Sequence, residues 1–150
     1  MKVCWFGLYK SNYSRNKILI DGLRQNDVAV VECNVSYKDR YKYFKLIKEL
    51  YAVKHEYDVI YCAFPINYNV IFAKLFQNKP IVIDAFFPLY DTYVYDRKSV
   101  SKFSLRALFY KSLDWINLRL ADVVIADTQE HKKYWHTLCP NAKIEVFFDK

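Results

Sequence analysis

What most limits the fold of this chain is a set of short, continuous apolar runs, each closed by a polar residue. Lys79-Pro80-Ile81-Val82-Ile83-Asp84 and Ala121-Asp122-Val123-Val124-Ile125-Ala126-Asp127 are the clearest. Runs this short, with no polar alternation, read as parallel strands whose two faces are both covered by helices. Each also sets a carboxylate at the C-terminal edge of its strand, where open α/β sheets bind their ligands. Acids at the rim of a buried sheet contribute nothing to its packing. Two of them at equivalent strand ends point to a site.

The same reading extends along the whole chain. Strands are expected at Lys2–Gly7, Val28–Cys33, Asp58–Ala63, Pro80–Asp84, Val123–Ala126 and Lys143–Phe147. Helices are expected over about Ser14–Gln25, Arg40–Lys54, Asn67–Phe76, Ser104–Leu120 and Gln129–Leu138. The first of these sets Ile18, Leu19 and Leu23 on one face. Strands joined by helical crossovers imply right-handed βαβ units and a doubly wound parallel sheet, a Rossmann-like α/β fold. In the strand order 3-2-1-4-5-6, the crevice lies between the first and fourth strands. Its walls are then the polar loop from Leu8 to Asn16 and the connection from Ala85 to Ser101. That connection is too long for a simple strand-to-helix link. Its aromatic residues Phe86, Phe87, Tyr90, Tyr93 and Tyr95 argue against disorder.

Composition narrows the function classes. A chain of 150 residues makes one domain with a real core. Its only glycines are Gly7 and Gly22, so phosphate-cradling glycine-rich loops are excluded, and no cofactor is implied. Cys4, Cys33, Cys62 and Cys139 are scattered without metal-ligand spacing, so no metal is expected, and Cys4, Cys33 and Cys62, inside strand-like runs, read as buried thiols of a reducing compartment. With no signal peptide and no span-length apolar run, a cytoplasmic location is expected. A net charge of +7 and 19% aromatic residues suit anionic lipid, nucleic acid or phosphorylated ligands. The plainer reading of that charge is a solvated basic face. Nucleic acid is disfavoured, because charge is its only support and no recognition motif accompanies it.

The candidate residues each carry two readings. Asp84, Asp91 and Arg97 can orient sugar hydroxyls through paired hydrogen bonds, or a carboxylate among them can accept a proton. Alternatively Asp84 caps a turn and Asp96-Arg97 pair on the surface. Arg15 and Asn16, at the start of the first helix, make an anion site, or Ser14 is an ordinary N-cap with Arg15 solvated. After the fifth strand, Asp127 or Thr128 is an N-cap or part of a cleft floor, and His131 is a proton donor or a surface residue. The helix around Arg40–Lys54 sets Lys42, Lys45 and Lys48 beside aromatic residues. It either lies on an anionic membrane or packs Phe44, Ile47 and Tyr51 on the sheet with its lysines in water.

Three blocks, in order, resemble the N-terminal domain of GT-B glycosyltransferases, in particular the retaining family 4. They are Lys2-Val3-Cys4-Trp5-Phe6-Gly7 with Tyr13-Ser14-Arg15-Asn16 and Gly22-Leu23-Arg24-Gln25; Pro80-Ile81-Val82-Ile83-Asp84-Ala85-Phe86 with Tyr90-Asp91 and Asp96-Arg97; and Ala121-Asp122-Val123-Val124-Ile125-Ala126-Asp127-Thr128. The resemblance implies a single Rossmann-like domain over residues 1–150 that binds a glycan or lipid-linked acceptor. The nucleotide-sugar donor would be held by a C-terminal domain absent from this chain, or by a partner subunit. It implies no metal, a peripheral position on the inner face of a membrane, and no activity for the isolated half. Carried over by position, Gly7 and Arg15 line the first cleft loop, Asp84, Asp91 and Arg97 belong to the acceptor loop, and Asp127 and Thr128 to the cleft floor. Beside them Arg15 and Asn16 are expected to contact the acceptor and His131 to line the cleft. The first loop lacks the glycine pair that many members have there. The rival expectation is a non-catalytic Rossmann-like module that binds a partner protein or an anionic membrane surface.

Overall fold

The computed structural model describes residues 1–10, 12–65 and 68–147. Its six strands are β1 (Lys2–Gly7), β2 (Ala29–Asn34), β3 (Val59–Cys62), β4 (Ile81–Asp84), β5 (Val123–Ala126) and β6 (Ile144–Val146). All pair in parallel, in one sheet. Helices α1 (Ser14–Gln25), α2 (Lys42–Ala52), α3 (Asn69–Phe76), α5 (Leu105–Leu120) and α6 (Gln129–Leu138) make the crossovers. The β4–α5 connection holds a short helical turn, α4 (Leu89–Asp91), that runs into a π-helical turn at Thr92–Asp96. The chain is thus a doubly wound, Rossmann-like α/β domain. The expected start of the third helix at Asn67 lies outside the described residues.

The strand order is β2-β1-β3-β4-β5-β6, which corrects the expected 3-2-1-4-5-6. Side-chain chemistry explains the difference. β1 offers Val3, Cys4, Trp5 and Phe6, all buried, and so takes an interior place between β2 and β3. β2 carries an exposed Glu32 and a half-exposed Asn34, as suits an edge. The order reverses between β1 and β3. The crevice therefore opens between the loops after those two strands, not between those after β1 and β4.

Right-handed crossovers then divide the helices unequally. The one leftward step, β1 to β2, puts α1 alone on one face. Every rightward step puts its helix on the other. That second face buries Cys4, Phe6, Ile60, Cys62, Ile81, Ile83 and Val124 against Leu46, Leu50, Val70, Leu118 and Trp135. The first face buries Val3, Trp5 and Ala63 under Ile20, with Leu19 and Leu23 beside them. Further along it, Val59, Tyr61, Val82, Val123 and Ile125 stay only half-buried. The expectation that both faces are covered fails over β3, β4 and β5. Among the described residues, one helix is too few for six strands.

Two helix faces also differ from expectation. In α2 the residues that pack are Leu46 and Leu50, while Phe44 is 72% exposed and Tyr51 is exposed too. In α1 Asn16 and Ile20 are buried, and Ile18 faces outward at 68% exposure. Cys4, Cys33 and Cys62 are buried free thiols, as expected, and so is Cys139; the Cys4 and Cys33 sulfurs lie 3.6 Å apart.

The β4–α5 connection has its own small core of Val94, Val100 and Ala107, with Tyr93 stacked on Tyr110. Asp114 of α5 fastens it. Its two carboxylate oxygens accept the N–H groups of Leu89 (3.1 Å) and Tyr90 (2.9 Å), capping α4 from outside, where Pro88 has no side chain to do so. Burial pushes the Asp114 carboxyl up to about 7, with the two N–H groups pulling the other way. An unfolded Asp titrates near about 4. The stability this group contributes is therefore fully present below about pH 4 and is lost as pH rises through about 7. The difference is on the order of 4 kcal/mol. Urea midpoints of the native chain should fall between pH 5 and 8, and Asp114→Asn, which keeps one acceptor and no charge, should flatten that slope.

Candidate functional site

Three loops meet at the point where the sheet order reverses. The β1–α1 loop contributes Leu8, Tyr9, Lys10 and Tyr13, the β2–α2 loop and the start of α2 contribute Tyr37, Lys42 and Tyr43, and the β3–α3 loop contributes Phe64 and Pro65. Together they line an open crevice of about 510 Å³, within the range of small-molecule sites. Its floor is held by side-chain amides. Asn34 accepts the Tyr9 N–H (3.1 Å), Asn16 donates to the Phe64 carbonyl (3.1 Å), and Asn69 donates to the Pro65 carbonyl (3.2 Å). Asn16 and Asn69 are fully buried, and among the described residues neither side-chain carbonyl oxygen has a partner. At Gly7 a Cβ would lie 3.1 Å from the Asn69 amide nitrogen, a tight contact that would press on that side chain.

Beside the crevice, the start of α1 is bolted to the ends of β4 and β5. Arg15 grips Asp84 with two prongs, Nε to Oδ2 at 2.7 Å and Nη2 to Oδ1 at 2.6 Å. Nη2 also reaches Asp127 Oδ1 at 2.7 Å. The Asp84 side chain is wholly buried, whereas those of Arg15 and Asp127 are 15% and 14% exposed. The Phe86 ring lies 4.5 Å from the guanidinium carbon and covers it. Burial raises the Asp84 carboxyl above its ordinary range despite the cation that opposes the shift. Burial works against the charge on Arg15 as well, but its two carboxylates win and hold it above the usual value. Tyr61, behind Asp84, is driven well up by burial and then by the negative carboxylate. Two acids share one cation.

The strand-end acids therefore do meet, through a third residue. Asp84 is sealed with both oxygens on Arg15, so it positions Arg15 and does not face a ligand. Arg15 is neither solvated nor a free anion site. Ser14 is the first residue of α1 and not its cap; Tyr13 stands at the N-cap with no side-chain bond. Asn16 braces the Phe64 carbonyl from inside. Thr128 caps α6, its hydroxyl accepting the His131 N–H at 3.1 Å, and His131 is half-buried with an unpartnered Nδ1.

Asp91 and Arg97 sit on the α4 and π-helical segment, and neither lines the crevice. Arg97 is exposed and lies over the Tyr93 ring, 5.3 Å from its centroid. The aromatic residues of that connection pack on protein: Phe86 and Phe87 each contact Phe64, and Tyr90 meets Tyr95. Of the basic residues on α2, Lys42 lines the crevice and donates to the Tyr37 carbonyl (3.1 Å), Lys45 pairs with Asp39, and Lys48 is exposed. Tyr9, Lys10, Tyr37 and Phe64 come from three loops, and no spacing in the chain announces that they meet. Among the described residues no cluster of His, Cys, Asp and Glu is arranged to hold a metal, and no helix is long and apolar enough to cross a membrane.

The sequence matches no protein-family model, and no curated protein is recognisably similar to it.

Replacing Arg15 with Ala leaves Asp84 buried without its cation, a loss of about 3–5 kcal/mol for a buried pair. Arg15→Lys should recover only part of this, because an ammonium cannot reproduce the planar two-pronged grip. Urea denaturation of the two variants checks both the size and the order. Equal stability of Arg15→Ala and the native chain would exclude the clamp.

Proposed function

We propose that this chain is the acceptor-side half of a glycosyltransferase that moves a sugar from a nucleotide-sugar donor to a glycan or lipid-linked acceptor. The observation that carries the proposal is an aromatic-walled crevice at the point where a doubly wound parallel sheet reverses its order, the place where such sheets hold ligands. The sequence blocks that resemble GT-B N-terminal domains give the reaction class, by analogy of fold. In this reading Tyr13, Tyr37 and Phe64 present ring faces to the acceptor. The Arg15–Asp84–Asp127 clamp keeps the loops in register from one side, while Asp91 and Arg97 contribute from a neighbouring loop. Sugar transfer requires donor and acceptor fixed in one geometry, so a second wall has to come from another domain or subunit. The domain by itself is then inactive.

A peripheral position on the cytoplasmic face of a membrane belongs to the same proposal. Tyr41, Phe44 and Tyr51 stand exposed on α2 beside Lys45 and Lys48, and Phe103 and Leu105 project at the start of α5, 94% and 86% exposed. Exposed rings and aliphatics among lysines suit an anionic bilayer surface.

A second reading has its own support. On the α1 side of the sheet an apolar groove of about 670 Å³ runs past Val3, Trp5, Leu19, Leu23, Val59, Tyr61 and Val82. A parallel sheet ordinarily has both faces covered, so a module that docks a partner protein there is the alternative function.

The two readings separate by NMR titration of the labelled chain with nucleotide sugars and with neutral and lipid-linked glycans. The transferase reading predicts saturable shifts at Lys10, Tyr13, Tyr37 and Phe64 with acceptors, and little response to nucleotide sugars. Silence toward every acceptor, or tight binding of nucleotides alone, would contradict it.

A further inference from the structure

The charged side chains that line the crevice are of one sign, Lys10 and Lys42. Arg15, Lys17, Arg24 and Lys45 each have a carboxylate partner. Among the described residues Lys10 and Lys42 have none, as is true of most other lysines and arginines here, but these two line the crevice and both turn toward Tyr37. The Lys10 ammonium sits 5.8 Å from the Tyr37 ring centroid, and Lys42 donates to the Tyr37 carbonyl at 3.1 Å. No residue lining the crevice is acidic. The nearby acids are occupied: Asp39 with Lys45 and the Tyr41 N–H, Glu32 with Arg24 and the Tyr9 hydroxyl.

The local backbone adds to this polarity. Helices α1, α2 and α3 all begin at the edge of the sheet where the crevice opens. Among the described residues none has a side-chain bond from its N-cap residue and none has an acid in its first turn, although Asp39 accepts the Tyr41 N–H just before α2. By contrast α5 and α6, further along the sheet, are capped by Ser104 and Thr128. The two lysines and the helix starts thus add positive potential to the crevice. A neutral sugar is held largely through carboxylate acceptors, and the described lining of the crevice supplies none. An anion fits it.

We propose that the crevice is a binding site for a phosphate ester, with the phosphate held by Lys10 and Lys42 and the organic part lying against Tyr13 and Phe64. Paired ammonium groups satisfy a doubly charged oxyanion without ordering a glycine-rich loop, consistent with a chain whose only glycines are Gly7 and Gly22. The aromatic walls add contact area that inorganic phosphate cannot use, so the ester binds more tightly than the bare ion. As the identity of an acceptor the phosphate ester rests on the transferase reading above; as a bound ligand it does not.

The test is an NMR and calorimetric titration of the labelled chain at physiological salt with phenyl phosphate, inorganic phosphate and phenol. A parallel arm uses phosphatidylcholine vesicles with and without phosphatidic acid, which presents the same phosphate as a lipid headgroup. Phenyl phosphate should saturate, shifting the amides of Lys10, Tyr13, Tyr37 and Lys42. It should bind at least about threefold more tightly than inorganic phosphate, and phenol should leave these amides unmoved. If only phosphatidic acid shifts them, the site is still a phosphate-ester site and its source is the membrane. Lys10→Ala with Lys42→Ala should weaken binding about tenfold, roughly 1.4 kcal/mol. Lys45→Ala, which removes a cation already paired with Asp39, should not. Circular dichroism of both variants verifies that each is folded. Shifts scattered over the surface lysines, or unchanged affinity in the double variant, would overturn the proposal. Binding of a neutral glycan without phenyl phosphate would overturn it while keeping the transferase reading. Phosphate binding with no response to any glycan would keep it and remove that reading.

Discussion

The contact on which the rest of this structure leans is the grip of Arg15 on Asp84 and Asp127. It joins the first turn of α1 to the ends of β4 and β5, elements separated in sequence by 69 and 112 residues. No other described helix lies on that face of the sheet, so α1 has no helical neighbour to pack against there. Its apolar contacts fix it against β1, and the guanidinium fixes its leading end against the far half of the sheet. The loop that precedes it carries Tyr9, Lys10 and Tyr13. The wall of the crevice is thus set by an ion pair outside the crevice.

That arrangement is energetically exposed. Asp84 has no solvent contact, and burial raises its carboxyl even with a cation in place. A buried pair of this kind contributes little net attraction, yet losing either partner is costly. Such a contact selects one position for α1 more than it adds to overall stability. The amides of Asn16 and Asn69 do comparable work on the β3–α3 loop, and Gly7 leaves the space that Asn69 needs.

Much of the fold was legible in the sequence because continuous apolar runs have few alternatives in a chain this short. Element boundaries follow from them, and β1 and α1 match to the residue. Strand order was not legible, since it depends on which strand tolerates an edge. The evidence was Glu32 and Asn34 in β2, easily read as ordinary strand variation. The site divides in the same way. Acids at strand ends were visible as chemistry, but their shared partner was not, because Arg15 meets them only through the crossover of α1. Lys42 was visible as one of several basic residues on α2, yet its carbonyl bond to Tyr37 separates it from Lys45 and Lys48. Asp114 looked like an unremarkable helix residue, and became a cap for α4 only when the long connection folded back on α5.

A double-mutant cycle on Arg15→Gln and Asp84→Asn, followed by urea denaturation, tests the clamp most directly. If the two side chains hold α1 in place, their coupling should be about 2 kcal/mol or more, well beyond the roughly 0.5 kcal/mol within which independent sites add. Additive losses would mean that α1 is positioned by apolar packing alone, and that the crevice does not depend on the ion pair.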